Sequence, residues 1–583
     1  MGKKEKLPLA KGKVSLGNKL AFACGDIFGG GSFNIINFLF TPFLTLVVGI
    51  PMTLLTPILL LTKIWDGIID PFIGKITDAK KPGRFGKRRF FMLICAPLVL
   101  VGFILLFFPW NLIFNSLAVK VLFVIIVYML YATAQSFVLI PYYSHASEMT
   151  DDFMARNNTN AVRLAFSILS SLICVAVPGM IAAPENGPYS YIVMASIFGV
   201  IFMISILITA LFSREQVVTP PVKTKFNFKE FVRPLKMGTY RRYLGMQMCA
   251  SFGMAVMSSF FFILCDFFFR RYTYEAINLD PSLSRDMRIA TIAAAAMFIA
   301  QIIALPIYLK LIKWKSKRFA YITGAIVWIV VAAALFLLPP EQEIVIKDGV
   351  VSTASGTPNF VIILFGLLLG LGIGGTVFVP HSSFGDVCDV GELYFGERTE
   401  GNFSGLTNFL NTTAQAVGLA IPPLIIGLTG YVETQYRTIE DYNTLLGMTV
   451  KDQIADLGMA LNNFKVIEGN GNYQLIPMSQ PVEAQYAILI TFAALPIVIL
   501  LIAIWIAMRY KLTSDLQTKI VALNGRTDKG SEEFEQQRVE LLTALGEKAD
   551  KLPQIDWASQ TEHQDDVTAT AEQSETVETE TKE

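Results

Sequence analysis

Apolar stretches, most of them longer than twenty residues, recur twelve times along this 583-residue chain, and no other feature restricts its fold as much. They fall near 19–48, 52–77, 90–109, 119–147, 161–184, 189–212, 241–269, 288–312, 319–338, 359–383, 402–430 and 485–509. A helix needs about 20 apolar residues to cross a hydrocarbon core of about 30 Å. Lipid offers the backbone no hydrogen-bond partner, so only helices and closed barrels cross it. Composition agrees, with 53% hydrophobic and 16% charged residues, where a soluble surface needs about 25% charged. The chain therefore reads as an all-α membrane protein of about twelve transmembrane helices.

Charge orients the helices. The arm 1–18 holds Lys3, Lys4, Lys6, Lys11 and Lys13. Further basic residues lie between the second and third stretches (Lys80, Lys81, Arg84, Lys87, Arg88, Arg89), in the middle connection 214–240 and at Lys313, Lys315, Lys317 and Arg318. With alternating helices all of these share one side, and only the loop with Arg270, Arg271, Arg285 and Arg288 dissents. The positive-inside rule then predicts cytoplasmic termini in a multi-pass cell (inner) membrane protein. The middle connection separates bundles at 19–213 and 241–510, the second carrying an external loop, 432–482, long enough to fold locally. The tail 511–583 reads as cytoplasmic, first amphipathic (Leu512 to Leu523), then acidic, Thr-rich and disordered.

The two bundles echo each other as six-helix pseudo-repeats. Leu139-Ile140-Pro141-Tyr142-Tyr143-Ser144 matches Phe378-Val379-Pro380-His381-Ser382-Ser383, and an arginine follows each, Arg156 and Arg398. Repeated halves are a common plan for secondary transporters, with the substrate site between them near the bilayer midplane.

The strongest chemical signal is charge inside the second stretch: Lys63, Asp66 and Asp70, spaced three and four residues apart and so on one helical face. An ionised group at the bilayer centre costs about 2.5–3.5 kcal/mol on insertion scales and usually faces the bundle interior. Two carboxylates one turn apart offer oxygens to a small cation or share a proton, and Lys63 can neutralise one of them. A salt-bridge cluster that only joins helices is the plainer alternative. Asp26, among Gly25, Gly29, Gly30 and Gly31 on the first helix, suits bonding to substrate hydroxyls or to Lys63.

Lys63-Ile64-Trp65-Asp66 with Asp70-Pro71, Gly74, Asp78 and Gly86-Lys87-Arg88-Arg89 resembles the second-helix signature of the glycoside–pentoside–hexuronide:cation symporters, melibiose-carrier-like members of the major facilitator superfamily. Gly25-Asp26, the run Arg156 to Arg163, and Asp389-Val390-Gly391-Glu392 through Gly401 agree with it. The resemblance covers about residues 16–430 and the last helix. It implies the major facilitator fold and sugar or glycoside uptake coupled to H⁺ or Na⁺ by alternating access, with Asp66 and Asp70 as cation ligands. It also implies a cytoplasmic gate of Asp78, Arg88, Arg89, Arg156 and Arg398. This chain departs from the pattern at Leu139 and Gly30, where sugar-site carboxylates are expected, at Ile69, where an Asn is, and at Thr412, where a Lys is. Candidates left to line the cavity, besides Asp26, are Gln135, Tyr142, Tyr143, Arg163, Asn408, Asn411, Thr412 and Gln415, while Ser136 offers a hydroxyl to the cation.

Other function classes lack support in the sequence. No GxxxxGK[ST] motif is present, and no loop gathers a nucleophile, base and oxyanion donors, so neither a P-loop pump nor an enzyme is expected. Cys24, Cys95, Cys174, Cys249 and Cys265 lie in apolar stretches and Cys388 in a loop, without metal spacing. His145 and His381 read as loop histidines or a proton relay. The expected partners are the bilayer and a small molecule, with no cofactor beyond the coupling ion, no nucleic acid and a monomeric state. A lysolipid or other amphiphile carrier of the same fold and a non-transporting sensor stay open as alternatives.

Overall fold

The computed structural model of the chain describes residues 14–80, 88–149, 153–182, 187–213, 228–265, 287–338, 359–397, 400–461, 464–469, 472–477, 480–526 and 528–555, together with Gly86, Phe267, 345–347, 350–352 and Trp557. Twelve long helices follow the apolar stretches. The first six are α1 (Leu16–Leu46), α2 (Met52–Ala79), α3 (Arg89–Leu106), α4 (Leu117–Glu148), α5 (Phe153–Ile181) and α6 (Tyr189–Phe212). The second six are α7 (Gly238–Leu264), α8 (Met287–Trp314), α9 (Lys317–Ala334), α10 (Asn359–Phe395), α11 (Glu400–Gly427) and α12 (Val482–Met508). Eleven are long and apolar enough to cross a membrane. The twelfth, α5, has a shorter apolar part, Ala165–Ile181, because Arg156, Asn157, Asn158, Thr159 and Asn160 occupy its first turns. Prolines sit inside many of these helices, Pro141 in α4 and Pro380 in α10 at matching places in the two halves.

Three expectations are corrected. Helix α10 does not stop near 383 but runs to Phe395, its last three turns too polar for lipid and covered by protein instead. Cys388 is accordingly buried in a helix, not in a loop. His145 likewise lies buried within α4, its Nε2 2.8 Å from Ser213 Oγ.

Several of the described contacts between the two halves lie at one face, the one bearing the 432–482 segment (the loop face). Phe38 of α1 meets Phe261, Phe262 and Phe298, with ring centroids about 6 Å apart. Thr41 Oγ1 is 2.7 Å from Ser259 Oγ, and Thr56 Oγ1 donates to Ala420 O at 2.8 Å. Glycine allows the tightest approach: a Cβ on Gly427 would stand 2.8 Å from the backbone nitrogen of Thr53. Just beyond it, Glu433 accepts a hydrogen bond from Met52 N at 2.9 Å, capping α2 from the opposite half. Burial pushes the Glu433 carboxyl up from its ordinary range, partly offset by that bond.

The described residues of the 432–482 segment fold locally. Strand β3 (Gln435–Thr438) pairs antiparallel with β5 (Asn472–Pro477), which pairs with β4 (Phe464–Gly469). β1 (Val345–Lys347) and β2 (Val350–Ser352) form a separate hairpin. Two short helices, Ile439–Gly447 and Val450–Leu457, start at Thr438 and Thr449, whose hydroxyls cap Asp441 N and Asp452 N. Val432, Leu445, Leu457, Met459, Leu461, Phe464 and Leu475 make their small core.

On the opposite, tail face the chain past 510 is more ordered than expected. Helices α13 (Ser514–Asn524) and α14 (Glu532–Ala544) pack on the end of α10. Gln517 Nε2 donates to Asp389 Oδ2 and Asn524 Nδ2 to Asp389 O. The buried Arg538 donates to the carbonyls of Leu393, Tyr394 and Pro553. Glu547 accepts from Gly238 N, Thr239 N and Thr239 Oγ1, satisfying orphan donors at the start of α7. The acidic run from 558 onward, expected to be disordered, lies outside the described residues.

Candidate functional site

Helices α2 and α4 run side by side in the same direction, and three polar contacts join them in nearly constant register. Lys63 Nζ lies over the Tyr128 ring, Trp65 Nε1 donates to Thr133 Oγ1 at 3.0 Å, and Ser136 Oγ donates to Asp70 Oδ1 at 2.6 Å. That register carries Lys63, Asp66 and Asp70 onto one seam. Lys63 is buried, 3.3 Å from Asp66 Oδ2, with Phe33 and Tyr128 rings about 6 Å away, where aromatic faces attract a cation. The second oxygen, Asp66 Oδ1, is buried and has no hydrogen-bond partner among the described residues.

Depth makes this unusual. Asp66 lies fourteen residues past Met52, about 21 Å along a helix that rises 1.5 Å per residue. That is near the middle of α2, where bare carboxylate oxygen is costly in lipid.

A second cluster joins α1, α4 and α5. Arg163 Nε lies 3.8 Å from Asp26 Oδ2, and the guanidinium stands 5.1 Å from the Tyr143 ring centroid. Asp26 is almost fully buried, while the Arg163 side chain is one-quarter exposed. Gly29 makes room for the cluster, since a Cβ there would meet Asp26 Oδ1 at 2.6 Å. Asp26 thus pairs with Arg163, not with Lys63.

The remaining candidates divide. Gln135 donates weakly to Ser32 Oγ at 3.4 Å, on the seam between α4 and α1. Tyr142 turns away from the cluster: its ring stacks on Phe22, its hydroxyl donates to Phe22 O, and 1% of it is exposed. Of the two candidate tyrosines, only Tyr143 lies beside Arg163, because adjacent helical positions point about 100° apart. Asn408, Asn411, Thr412 and Gln415 share one face of α11, which packs along α2 with Phe409 against Gly67. No described contact bonds them to Asp66 or Asp70; Asn411 Oδ1 is buried without a hydrogen-bond partner among the described residues. Of the residues expected at a gate, Arg88 Nη1 approaches Thr77 Oγ1 at 3.4 Å, and Arg89 binds the carbonyls of Ala210 and Leu211 at the end of α6. The Asp78 and Arg156 side chains and all of Arg398 lie outside the described residues. Sequence reasoning missed Tyr128 and Thr133, which the α2–α4 register reveals, and Phe33 of α1, whose ring lies near the Lys63 ammonium.

The profile of one family, described as MFS/sugar transport protein, matches residues 21–514. The chain is 24% identical over 454 residues to the glucuronide carrier protein homolog of Escherichia coli (strain K12), covering 77% of this chain and 91% of that one. It is also 24% identical over 495 residues to the uncharacterized symporter sll1374 of Synechocystis sp. (strain ATCC 27184 / PCC 6803 / Kazusa), covering 72% and 86%. The crystal structure of a point mutant of the nucleoside transporter NupG superposes with a TM-score of 0.54 at 11% identity, covering 84% of this chain and 99% of that one. These are transporters, not enzymes.

Proposed function

The chain belongs to the MFS/sugar transport family, within the glycoside–pentoside–hexuronide:cation symporters, and from that premise we propose that this multi-pass secondary transporter couples sugar or glycoside uptake to H⁺. The observation that supports the reading most is the bare Asp66 Oδ1 beside Lys63, one turn from Asp70 held by Ser136. In this arrangement Lys63 neutralises Asp66 while the site is empty. A cation or proton arriving at the pair releases Lys63, and the change of charge is felt at the α1–α4–α5 cluster through the shared helix α4. There Asp26 and Arg163 offer acceptors and donors to sugar hydroxyls, and the Tyr143 ring offers an apolar face.

With the termini in the cytoplasm of a cell (inner) membrane, as the lysine and arginine bias implies, the closed loop face is the outer one. On this reading the loop-face contacts are those of an inward-facing carrier, proposed to act as a monomer, and the inner gate expected from the sequence comprises Asp78, Arg88, Arg89, Arg156 and Arg398.

Proton coupling is favoured over sodium on ligand count. A hard cation needs several oxygens to replace its hydration. Asp66, Asp70 and Ser136 provide some, but Ile69 has no oxygen to add. The test is substrate-induced alkalinisation of a weakly buffered cell suspension in sodium-free medium, together with counterflow of labelled sugar in proteoliposomes. Uptake that vanishes without sodium, with no pH change on adding substrate, reverses the choice of ion, and Ile69→Asn then strengthens sodium dependence.

A second reading, an amphiphile as cargo, has one observation in its favour. A cavity of about 390 Å³ lies where α5 meets α8 and α10, lined mainly by apolar side chains such as Ile168, Phe298, Ile302, Leu305 and Phe378. Counterflow of a labelled lysolipid in the same proteoliposomes, without counterflow of sugar, selects it.

A further inference from the structure

A small cavity at the tail face is lined by three arginines and one tryptophan: Arg241 and Arg242 from the start of α7, Arg509 and Trp505 from the end of α12, with Gly238 and Ile506. Each guanidinium has a different attachment. Arg242 donates to the carbonyls of Leu545 and Gly546 in the docked tail, at 2.9 and 3.4 Å. Arg241 reaches Leu235 O at 3.2 Å. Arg509 stacks flat on Trp505, 3.5 Å from the ring centroid. Among the described residues no salt bridge pairs any of the three with a carboxylate. Glu547, whose carboxylate lies against Gly238 of the lining, is already bonded to the helix start. Three cations thus converge on a concave site with no salt-bridge partner among the described residues.

The surroundings say what kind of anion fits. Guanidinium forks match the tetrahedral oxygens of phosphate. Both helices end here as they leave the membrane, the level at which tryptophans and lipid headgroups lie. Directly beyond the cavity α12 presents an unbroken exposed apolar stripe, Val498, Leu501, Ile502, Trp505 and Met508, at helical spacing. A free phosphate uses only the arginines, whereas a phospholipid uses the arginines and the stripe together. We propose that this junction of α7, α12 and the tail is a binding site for an anionic phospholipid, its headgroup phosphate on Arg241 and Arg509 and an acyl chain along α12. Because Arg242 holds the tail from the same cavity, the bound lipid also buttresses tail docking. The inference does not depend on the identity of the transported substrate.

The test uses the full chain in detergent, titrated with a fluorescent phosphatidylglycerol and with a phosphatidylcholine of the same acyl chains. The expected result is saturable phosphatidylglycerol binding that weakens by about tenfold or more in Arg241→Gln/Arg509→Gln, with phosphatidylcholine weaker throughout. Arg509→Gln alone, at an exposed position, gives a smaller loss in the same direction and guards against misfolding of the double variant. Equal binding by wild type and both variants overturns the proposal. So does complete displacement of the lipid by millimolar inorganic phosphate, which marks a free-anion site, or an equal loss in Lys451→Gln on the opposite face.

Discussion

Glu433 holds the loop face shut from the wrong half: it belongs to the second bundle, yet it caps α2 of the first. Replacing it by alanine removes the acceptor for Met52 N. A hydrogen bond to a charged group contributes about 1.5–3 kcal/mol net, and loss of a helix cap costs about 0.5–2 kcal/mol. The bond exists only while the halves touch, so its loss raises the energy of the closed state alone. At about 1.4 kcal/mol per tenfold, the ratio of closed to open molecules falls by about tenfold, and by about a hundredfold at most. Spin labels at Leu112 and Leu337, exposed at the loop ends of α4 and α9 in opposite halves, read this directly. Pulsed distance measurements on Glu433→Ala should show a longer-distance population growing at the expense of the short one, and Glu433→Gln, which keeps an acceptor oxygen, an intermediate shift. An unchanged distribution in a variant that elutes and melts like wild type refutes the latch.

The tail gives a second expectation. Glu547→Ala leaves two backbone N–H groups and a hydroxyl of α7 unsatisfied, so the melting temperature falls and limited proteolysis releases residues past 510 faster, by the roughly 1–2 kcal/mol a lost cap represents. Topology is checked with single cysteines on a cysteine-free background: an impermeant maleimide should label position 451 from outside intact cells and leave position 529 untouched until the cells are opened. The reverse pattern inverts the orientation.

What could be read from the chain, and what could not, follows from the range of each interaction. Lys63, Asp66 and Asp70 were legible because charges at a three-and-four spacing inside an apolar run must share one helical face, and that face must be turned away from lipid. Ser136 was legible only as a hydroxyl on a helix thought to be adjacent; its bond to Asp70 needed the α2–α4 register. Tyr142 and Tyr143 were indistinguishable in sequence, since which of two neighbours faces a cavity depends on the rotation of α4 about its own axis. In the same way, the packing of α5 against α1 put Arg163, not Lys63, beside Asp26. The end of α10 misled for a different reason. Hydropathy reports lipid, and after Ser383 this helix is covered by α13 and α14 rather than lipid, so Asp389 and Glu392 looked like loop residues. Lys529, 3.8 Å from Glu392, and Gln517 on Asp389 show what replaces solvent there. The 432–482 segment was legible only as long enough to fold locally; its sheet order was not visible, because strand pairing is a long-range choice.

The central claim is that the α2 carboxylates couple the ion to the substrate, and one comparison tests it most directly. In proteoliposomes, Asp66→Asn and Asp70→Asn should each lose accumulation of labelled substrate driven by an imposed ion gradient, while exchange at equal concentrations on both sides persists, because exchange requires no net movement of the ion. If the double variant still concentrates substrate against its gradient to the wild-type level, the coupling site lies elsewhere and the account is wrong.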